Sequence, residues 1–573
     1  MTKTWTTLNP MSKLDSNLRN LTLEEIKVLK SQRCTADNWD FIFISPSLDL
    51  SNLVNVYFKG NVNIHSGVVM RNIPGGISGC SVKENVRIEN VASIEFEDDS
   101  QFGVGTFVSV LDETGSRAIP IFPGLSSQIA TLMSREPRWL QYNLKTSLKE
   151  FIDSKLTEAE IGENAVIKNS GSIKNVSIGP EIKIEGASHL ENGSLINNAA
   201  PGKCFTYIGT GVDAQNFILE DGKLDSKSHV VNCYIGQGAT IGSGFSAHDS
   251  LFFANCDMEN GEAHSLLAGP YTVSMHKGTL LIGCQTSFMN AGSGTNQSNH
   301  MYKMGPIHWG VMERGVKTSS GSYLMLGAKI GAFSLLMGPH KTHPDSSEFP
   351  FSYLFGDDRG VTTIVPGLML RSCGLLRDEA KWPSRDRRQK RSLPLYDHII
   401  FEVLNPFTVE TMLNAIDTID ELLSRPIEPI EDDFYIRYKG LKFTRAAAER
   451  AKSLYTLAIS KYLNTVLRKL KFPDNDGERP DEWVDLGGLI LTRKYLHMIL
   501  NCETITEAEA IFNEAYQIYR QLELKWIGRR FGEWWRNRQD EIKAEARRLN
   551  EIIEEDRQDY LDMLSQESDM LSL

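Results

Sequence analysis

Large apolar residues recur at every sixth position over long stretches of the chain. Runs with this spacing are Phe58, Ile64 and Met70; Val82, Ile88 and Ile94; Ile161, Ile167 and Ile173; Ile178, Ile184, Leu190 and Ile196; Ile218, Leu224 and Val230; Leu324, Ile330 and Leu336; and Ile364, Leu370 and Leu376. An amphipathic helix would instead repeat about every 3.6 residues, and a half-buried strand every second residue. A period of six predicts a coil with short flat faces, in which one apolar side chain per face points inward.

Glycine and asparagine are frequent between these apolar positions, as in the segments IGENAVI, IGPEIKI and IGQGATIG. Both residues suit corners at which the backbone φ is positive. The segments resemble the hexapeptide-repeat superfamily of left-handed β-helix proteins, over roughly residues 54–104 and 160–380. The resemblance implies a mainly β fold built on a left-handed parallel β-helix. A β-sandwich with chance spacing is the alternative.

Helical patterns interrupt and follow the repeat. Thr22 to Glu25 form a capping-box sequence that predicts a short helix. A second helical stretch predicts an insertion in the β-helix, and a third predicts an α-helical C-terminal region. The expected organisation is an N-terminal segment with a short helix (1–50), a first β-helix part (51–123), the helical insertion (124–158), the main β-helix with irregular loops (159–400) and the α-helical C-terminal domain (401–573).

Composition and charge argue against some classes of binding partner for this protein. The 573-residue chain has a formal net charge of −12, so we expect neither nucleic acid nor an anionic membrane to bind over its whole surface. The first residues lack a basic segment followed by a long apolar run, and no stretch approaches the length of a membrane span. Its eight cysteines are scattered without a CxxC pair, which favours a reducing compartment. We therefore expect a cytoplasmic protein.

Histidines are concentrated in the later part of the predicted β-helix. Seven of the twelve lie between His248 and His343. Histidine suits general base chemistry because its ordinary pKa lies near neutrality. The candidate catalytic base is His300, with His276 and His340 as alternatives. Each could instead be an ordinary hydrogen-bonding residue.

The polar stretch SFMNAGSGTNQSNHMYKMGPIH, residues 287–308, combines small residues with amide side chains. Small residues let a ligand approach the backbone, and amides both donate and accept hydrogen bonds. The stretch lacks the spacing of a phosphate-binding GxxxxGK[ST] loop. It predicts a polar pocket, and the alternative is a glycine-rich surface loop. The predicted substrate-binding residues are Asn290, Asn296, Gln297, Lys303 and His308.

A basic stretch, RSCGLLRDEAKWPSRDRRQKR at residues 371–391, follows the repeat. Arginine and lysine suit phosphate recognition, although a solvated basic loop is the alternative. Coils of a β-helix stack at about 4.8 Å, so this stretch and the polar stretch can meet on one edge. We predict one anion pocket there. Its proposed ligands are Lys303, Arg371, Lys381 and Arg385, with Asn296 and Gln297 reading attached hydroxyls.

The short segment GPHKTHPDSSEFP raises the question of a metal. It contains His340, His343 and Asp345, and histidine with carboxylate is a common ligand set. Its spacing departs from the three-histidine pattern of β-helix carbonic anhydrase relatives, and Pro344 constrains the loop. No metal is predicted.

Longer strings carry a more specific resemblance. AGPYTVSMHKGTLLIG, SFMNAGSGTNQSNHMYK and RDEAKWPSRDRR resemble a large uncharacterised family of hexapeptide-repeat proteins from anaerobic gut bacteria and spirochaetes, which brings no established activity with it. The superfamily resemblance implies a homo-oligomeric transferase, foremost an acyltransferase acting on a sugar, sugar phosphate or nucleotide-linked sugar. An acyl-CoA would be the donor and an anionic small molecule the substrate. The alternative is a non-catalytic phosphometabolite-binding or scaffold protein, and the sequence leaves open whether the chain is an enzyme.

Overall fold

A parallel β-helix with three-sided coils forms the main body of the protein in this computed structural model. The structure describes residues 17–298, 309–357, 361–388, 394–425, 435–467 and 477–571. Helices follow the β-helix at its C-terminal end and also interrupt it once. The prediction of a mainly β fold with parallel coils and a C-terminal helical region is confirmed.

Each coil contributes one short strand to each of three flat faces. First-face strands are Ile42–Ile44, Val62–Ile64, Cys80–Val82, Glu160–Ile161, Leu251–Phe252, Leu267–Ala268, Cys284–Thr286, Gly310–Met312 and Lys329–Ile330. Second-face strands are Lys183–Glu185, Tyr207–Ile208, Lys223–Leu224, Thr240–Gly242, Asp257–Glu259, Val273–Ser274, Asn290–Ala291, Lys317–Thr318, Leu335–Met337 and Tyr353–Phe355. Third-face strands are Thr35–Ala36, Ser246–His248, Glu262–His264, Leu280–Ile282, Asn296–Ser298, Tyr323–Met325 and Pro339–His340.

Longer strands bend around the corners between these faces. Leu53–Phe58, Val69–Ser78 and Arg87–Glu95 contribute to the second and third faces, His189–Ile196, Asp213–Glu220 and His229–Ile235 to the third and first, and Val166–Ile178 to all three. Paired residues on adjacent coils include Ala214 with Val230, Ile161 with Ile178 and Leu267 with Gln285. Separations of 16 to 18 residues are what three six-residue faces require, and the six-residue apolar side chains stack inside the coils, fully buried at Ile64, Ile161 and Ile178.

Asparagine ladders run along the corners of the β-helix. Asn192, Asn216 and Asn232 occupy equivalent positions on successive coils, all with positive φ. The Asn192 amide donates to Asn216 Oδ1 (2.7 Å), and the Asn216 amide donates to Asn232 Oδ1 (2.9 Å). Asparagine adopts left-handed backbone conformations more readily than other non-glycine residues. The ladder therefore satisfies both the backbone geometry and the polar groups of the corner.

Replacing Asn216 with alanine should lower the free energy of unfolding by about 2–3 kcal/mol. The variant loses two side-chain hydrogen bonds, and alanine adopts a φ of +51° less readily than asparagine does. Asn216→Gly should cost about 1 kcal/mol less because glycine adopts this φ freely. Urea unfolding measures both variants, with Asn550→Ala on an exposed helix position as the control. Equal losses for alanine and glycine would contradict the backbone contribution.

Nine helices surround the ends and one side of the β-helix in the part of the chain that the structure describes. They are α1 (Leu23–Ser31), α2 (Ser127–Arg135), α3 (Leu148–Asp153), α4 (Cys373–Ser384), α5 (Pro406–Ser424), α6 (Arg445–Leu467), α7 (Arg493–Leu500), α8 (Ile505–Gln517) and α9 (Tyr519–Leu571). Short 3-10 or π turns cover Trp39–Phe41, Leu50–Asn52, Trp139–Asn143 and Leu368–Arg371. The Thr22 capping box that opens α1 is formed as the sequence predicts.

Antiparallel strands lie outside the regular coils. Arg19–Asn20 pairs with Ile42–Ile44, Phe107–Val108 with Ile119–Pro120, Thr362–Val365 with Tyr353–Phe355, Tyr435–Tyr438 with Leu441–Thr444, and Trp483–Leu486 with Leu489–Thr492. The last pair forms a hairpin, residues 483–492.

The last six-residue series does not continue the β-helix. Ile364 lies in an antiparallel strand, Leu370 in a 3-10 turn and Leu376 in α4. Ser372 ends the extended backbone because its side chain accepts a hydrogen bond from the Gly374 N–H at the start of α4. Three apolar residues at this spacing do not by themselves require a coil, so this segment is a correction to the sequence-based interpretation.

The insertion runs along the β-helix rather than away from it. Gly103 N–H donates to Asn192 Oδ1 (2.8 Å), and Leu111 N–H donates to the Ser265 carbonyl (2.7 Å), four coils further on. The chain thus follows the corner between the third and first faces. This path brings α2 onto the outer side of the first face, next to the 483–492 hairpin.

Candidate functional site

Three distant segments meet near the corner between the first and second faces. Glu313 and Arg314 follow the first-face strand Gly310–Met312, Arg135 ends α2, and Asp485 lies on the 483–492 hairpin. We call this group the Glu313 cleft. Its chain positions span 350 residues, from 135 to 485, so only the docking of the insertion and the hairpin on the β-helix creates it.

Glu313 is the titratable centre of the cleft. Its side chain is half-buried, and Oε2 accepts a hydrogen bond from the Ala332 N–H (3.1 Å). Burial, together with the negative charge of Asp485, raises the pKa of Glu313 to about 8, although Arg135 opposes the rise. A carboxyl group with a pKa near neutrality can both give and take a proton under physiological conditions.

Arg314 connects the β-helix to Asp485 of the hairpin and to the Ile400 carbonyl. Its side chain is 1% exposed, Nη2 donates to the Ile400 carbonyl (2.7 Å) and Nε lies 3.3 Å from Asp485 Oδ2. The guanidinium also stacks 4.9 Å from the Phe288 ring centroid. Among the described residues, Nη1 has no hydrogen-bond partner. A buried cation with a donor to spare is unusual and is consistent with a bound group.

Glycines make the close approach of the hairpin possible. Gly487 has a φ of +57°, and a Cβ at this position would lie 2.9 Å from the Ser127 backbone. The Gly487 carbonyl accepts hydrogen bonds from Ser127 Oγ and Gln128 Nε2, both at 2.8 Å. These contacts fasten the hairpin to the start of α2, and Asp485 is thereby held beside Arg314.

Two further arginines lie at the rim of the cleft. Arg135 is exposed and makes no ion pair with another described residue. Arg117 donates from Nη1 to the Ser134 carbonyl (2.8 Å), and its guanidinium lies 4.6 Å from the Trp309 ring centroid. The cleft therefore combines a proton-exchanging carboxyl group with positive charge, which suits an anionic ligand.

The three predicted histidine bases occupy different environments. His300 lies outside the described residues. His276 is exposed in a turn of the β-helix. His340 is fully buried, its Nδ1 is 2.9 Å from Thr362 Oγ1, and burial lowers its pKa to about 4.

The predicted substrate-binding residues of the polar stretch also lie in different places. Lys303 and His308 lie outside the described residues. Asn290 is exposed on the second face, whereas Asn296 and Gln297 lie on the third. Gln297 is fully buried at the inward position between Leu281 and Leu324 on adjacent coils. Neither of its amide atoms has a hydrogen-bond partner in the described part of the chain.

The basic stretch forms α4 and the segment after it. Arg371 and Arg385 are exposed, and Lys381 is half-buried. Trp382 packs against Phe288 with ring centroids 4.7 Å apart. Arg371 ends the 3-10 turn before α4, Lys381 lies within α4, and Arg385 follows the last residue of α4.

Some charged side chains of this stretch attach it to the β-helix through ion pairs and hydrogen bonds. Arg387 Nη1 is 2.8 Å from Asp257 Oδ1, and the buried Arg388 pairs with Asp386 at 2.9 Å. Asp386 also accepts a hydrogen bond from the Asn255 amide (2.9 Å). These ion pairs stabilise docking and are not available to a ligand, which the basic composition alone did not indicate.

The segment around His343 shows no ligand cluster. His343 is exposed, with Nδ1 2.5 Å from the Leu326 carbonyl oxygen. Within the described ranges, no group of three or more histidine, cysteine or acidic side chains is placed to hold a metal ion. Over the same ranges, no helix has the length and apolar character that crossing a membrane would require.

Sequence reasoning missed the main residues of the cleft. Glu313 and Arg314 lie inside the histidine-rich region that was singled out, but within MERGVK, which matches no catalytic motif. Asp485 lies in a region interpreted only as helical. The one local signal is the adjacent glycine pair at 487 and 488, which indicates a tight turn but not what the turn approaches.

The fold and the cleft together define a class: a parallel β-helix protein with a helical region docked on one corner and charged groups buried between them. A family model described as "Domain of unknown function (DUF4954)" matches residues 18–79 and 61–423. These matches cover more than half of the chain, and the protein therefore belongs to that family.

A relative with the printed name "Uncharacterized protein", from Treponema pallidum (strain Nichols), is 25% identical to this chain over 464 residues. The alignment covers 71% of this chain and 62% of the relative. The chain thus matches about three fifths of the relative's length.

Proposed function

We propose that this protein is a transferase that binds an anionic sugar derivative in the Glu313 cleft, with Glu313 as the general acid–base. The observation that carries the proposal is the raised pKa of Glu313, about 8, beside the exposed Arg135, which forms no ion pair with another described residue. General acid–base groups work best when their pKa lies near the working pH. Arg135 and Arg117 would hold the phosphate or carboxylate of the substrate.

The reaction that we favour is acyl transfer. In its ionised form, Glu313 takes the proton of an acceptor hydroxyl while the hydroxyl oxygen bonds to the carbonyl carbon of a thioester such as an acyl-CoA. The carbon–sulfur bond breaks, and the departing sulfur takes the proton back from Glu313. The coils of three six-residue faces support this choice because acyl transfer is the commonest activity expected from the hexapeptide-repeat resemblance. His300 is a second candidate for the base.

A specific observation also favours a second candidate, a non-catalytic phosphometabolite-binding protein. His340 and His65 are buried at separate positions, bonded to Thr362 and to Glu84 and Ser81 respectively. Histidines that are buried singly fit a scaffold better than an enzyme that relies on a histidine base. The arginine rim of the cleft would serve this function equally well.

Metabolite capture on the immobilised full-length chain, read by mass spectrometry, tests the first proposal. Arg135→Met should weaken binding of the captured anion by about tenfold or more, because a charge-assisted hydrogen bond contributes about 1.5–3 kcal/mol. Arg138→Met, an exposed arginine three residues further on, is the matched control.

The same ligand then separates an enzyme from a binding protein. With an acyl-CoA present, Glu313→Gln should keep binding but reduce turnover by about 10²–10⁴-fold. Full turnover in Glu313→Gln together with loss in His300→Ala would transfer the acid–base role to His300. Binding without turnover in the wild type would favour the second candidate, and binding unaffected by Arg135→Met would contradict the site itself.

A further inference from the structure

A partly open pocket of about 410 Å³ lies among α4, α6 and α9. It shares none of its lining residues with the Glu313 cleft. The wall is mainly apolar, with Leu375 from α4, Val466 from α6, and Leu549 and Ile553 from α9. Its volume falls in the range of small-molecule sites, which is about 300–1,000 Å³.

One charged group in the wall of this pocket forms no ion pair within the described part of the chain. Lys461 of α6 is half-buried and makes no ion pair or side-chain hydrogen bond with another described residue. The other cation of the wall, Arg520, pairs with Glu402 and with Glu523, the latter at 2.6 Å. The Glu379 carboxylate acts on Lys461 electrostatically but forms no ion pair with it in the described structure. Burial of an ammonium without an ion pair is costly, so Lys461 marks where an anion in direct contact would be stabilised.

Each of the two acidic groups in the wall has a hydrogen-bond or ion-pair partner. Glu379 Oε1 accepts a hydrogen bond from the Val403 N–H (2.8 Å). Glu402 is the ion-pair partner of Arg520. A cationic ligand head would meet the Lys461 ammonium and would have to share Glu379 with it, since Glu402 is paired with Arg520. An uncharged ligand would leave Lys461 as it is.

We propose that this pocket binds an amphipathic small molecule, with an aliphatic chain against Leu375, Val466 and Ile553 and an anionic head group paired with Lys461. The apolar wall would remove the chain from water, and that burial supplies most of the affinity. The Lys461 ammonium would select a carboxylate or phosphate head. Nothing in this proposal depends on chemistry at Glu313.

Isothermal titration of the full-length chain with decanoate tests the proposal. The wild type should bind decanoate. Lys461→Met should weaken decanoate binding by at least about tenfold while leaving the binding of decan-1-ol unchanged. Lys452→Met is the matched control, because Lys452 lies on the same helix but pairs with Asp420 at the surface, and it should bind decanoate like the wild type.

A second variant tests the pocket independently of the lysine. Leu375→Trp would fill the space next to α4 and should abolish binding of both decanoate and decan-1-ol, with circular dichroism used to check that the helices are intact. Failure of the wild type to bind decanoate, equal affinity in Lys461→Met, or tighter binding of decylamine than of decanoate would each overturn the proposal. Acetate, which lacks the chain, should not bind.

Discussion

Replacing Arg314 with leucine is expected to lower the free energy of unfolding by about 3–5 kcal/mol. The variant leaves the Asp485 carboxylate without its cation, and it removes the Arg314 hydrogen bond to the Ile400 carbonyl. Breaking a buried ion pair from one side costs more than replacing both partners, because the remaining charge stays buried. Urea or thermal unfolding of the full-length chain measures the loss.

Two controls define this result. Arg377→Leu removes an exposed arginine that pairs with Asp378 at 3.5 Å, and it should change stability by less than about 0.5 kcal/mol. The double variant Arg314→Leu with Asp485→Leu should recover a large part of the loss, because no unpaired charge remains. If Arg314→Leu costs no more than Arg377→Leu, the buried pair does not hold the hairpin in place.

Raising the pH from about 5 to 8.5 should destabilise the wild type relative to Glu313→Gln. The pKa of Glu313 is about 8 in the folded protein, against 4.5 for the ordinary group. The folded state therefore binds more protons between these values, and its stability falls as the pH rises through this window. Glutamine resembles the protonated form and cannot ionise. The difference should be about 1 kcal/mol at pH 5 and on the order of 4–5 kcal/mol at pH 8.5.

The comparison isolates Glu313 from other titrating groups. His340 acts at lower pH: its folded pKa is about 4, so the stability due to its burial is lost as the pH falls below 6.5. Glu163→Gln, at an exposed corner of the β-helix, is the matched control and should track the wild type throughout. A Glu313→Gln variant that is no more stable than the wild type at pH 8.5 would show that the surroundings of the carboxyl group do not raise its pKa.

The free-energy cost of ionising Glu313 in this environment is connected with the proposed function. Glu313 would be more stable as an exposed carboxylate, and the protein places it beside Asp485 and against the β-helix. Groups held at such a cost are found at sites of chemistry more often than at structural positions. The two predictions on Arg314 and Glu313 are therefore complementary: the first tests how the cleft is built, and the second tests whether its carboxyl group is primed to exchange a proton.

The sequence by itself determined the coil. A six-residue apolar repeat has one simple solution, a three-sided β-helix, because each inward side chain packs on its equivalent about 17 residues away, as Ile161 does on Ile178. The α1 capping box was equally local, since Thr22 and Glu25 satisfy each other's backbone groups. Patterns that are fulfilled by near neighbours or by exact repetition can be predicted without knowing the rest of the fold.

The candidate site was decided by tertiary structure. The histidine-rich region was correctly placed on the late coils, where His248 and His264 stack with ring centroids 4.9 Å apart. The candidate site, however, is formed by Glu313, Arg135 and Asp485. Arg387 likewise became a docking residue because Asp257 on a coil faces it, whereas Arg388 pairs with Asp386 of its own segment. No local pattern encodes which surfaces meet when the insertion and the helical region pack on the β-helix, and burial and neighbouring charge, which set the pKa of Glu313, exist only after that packing.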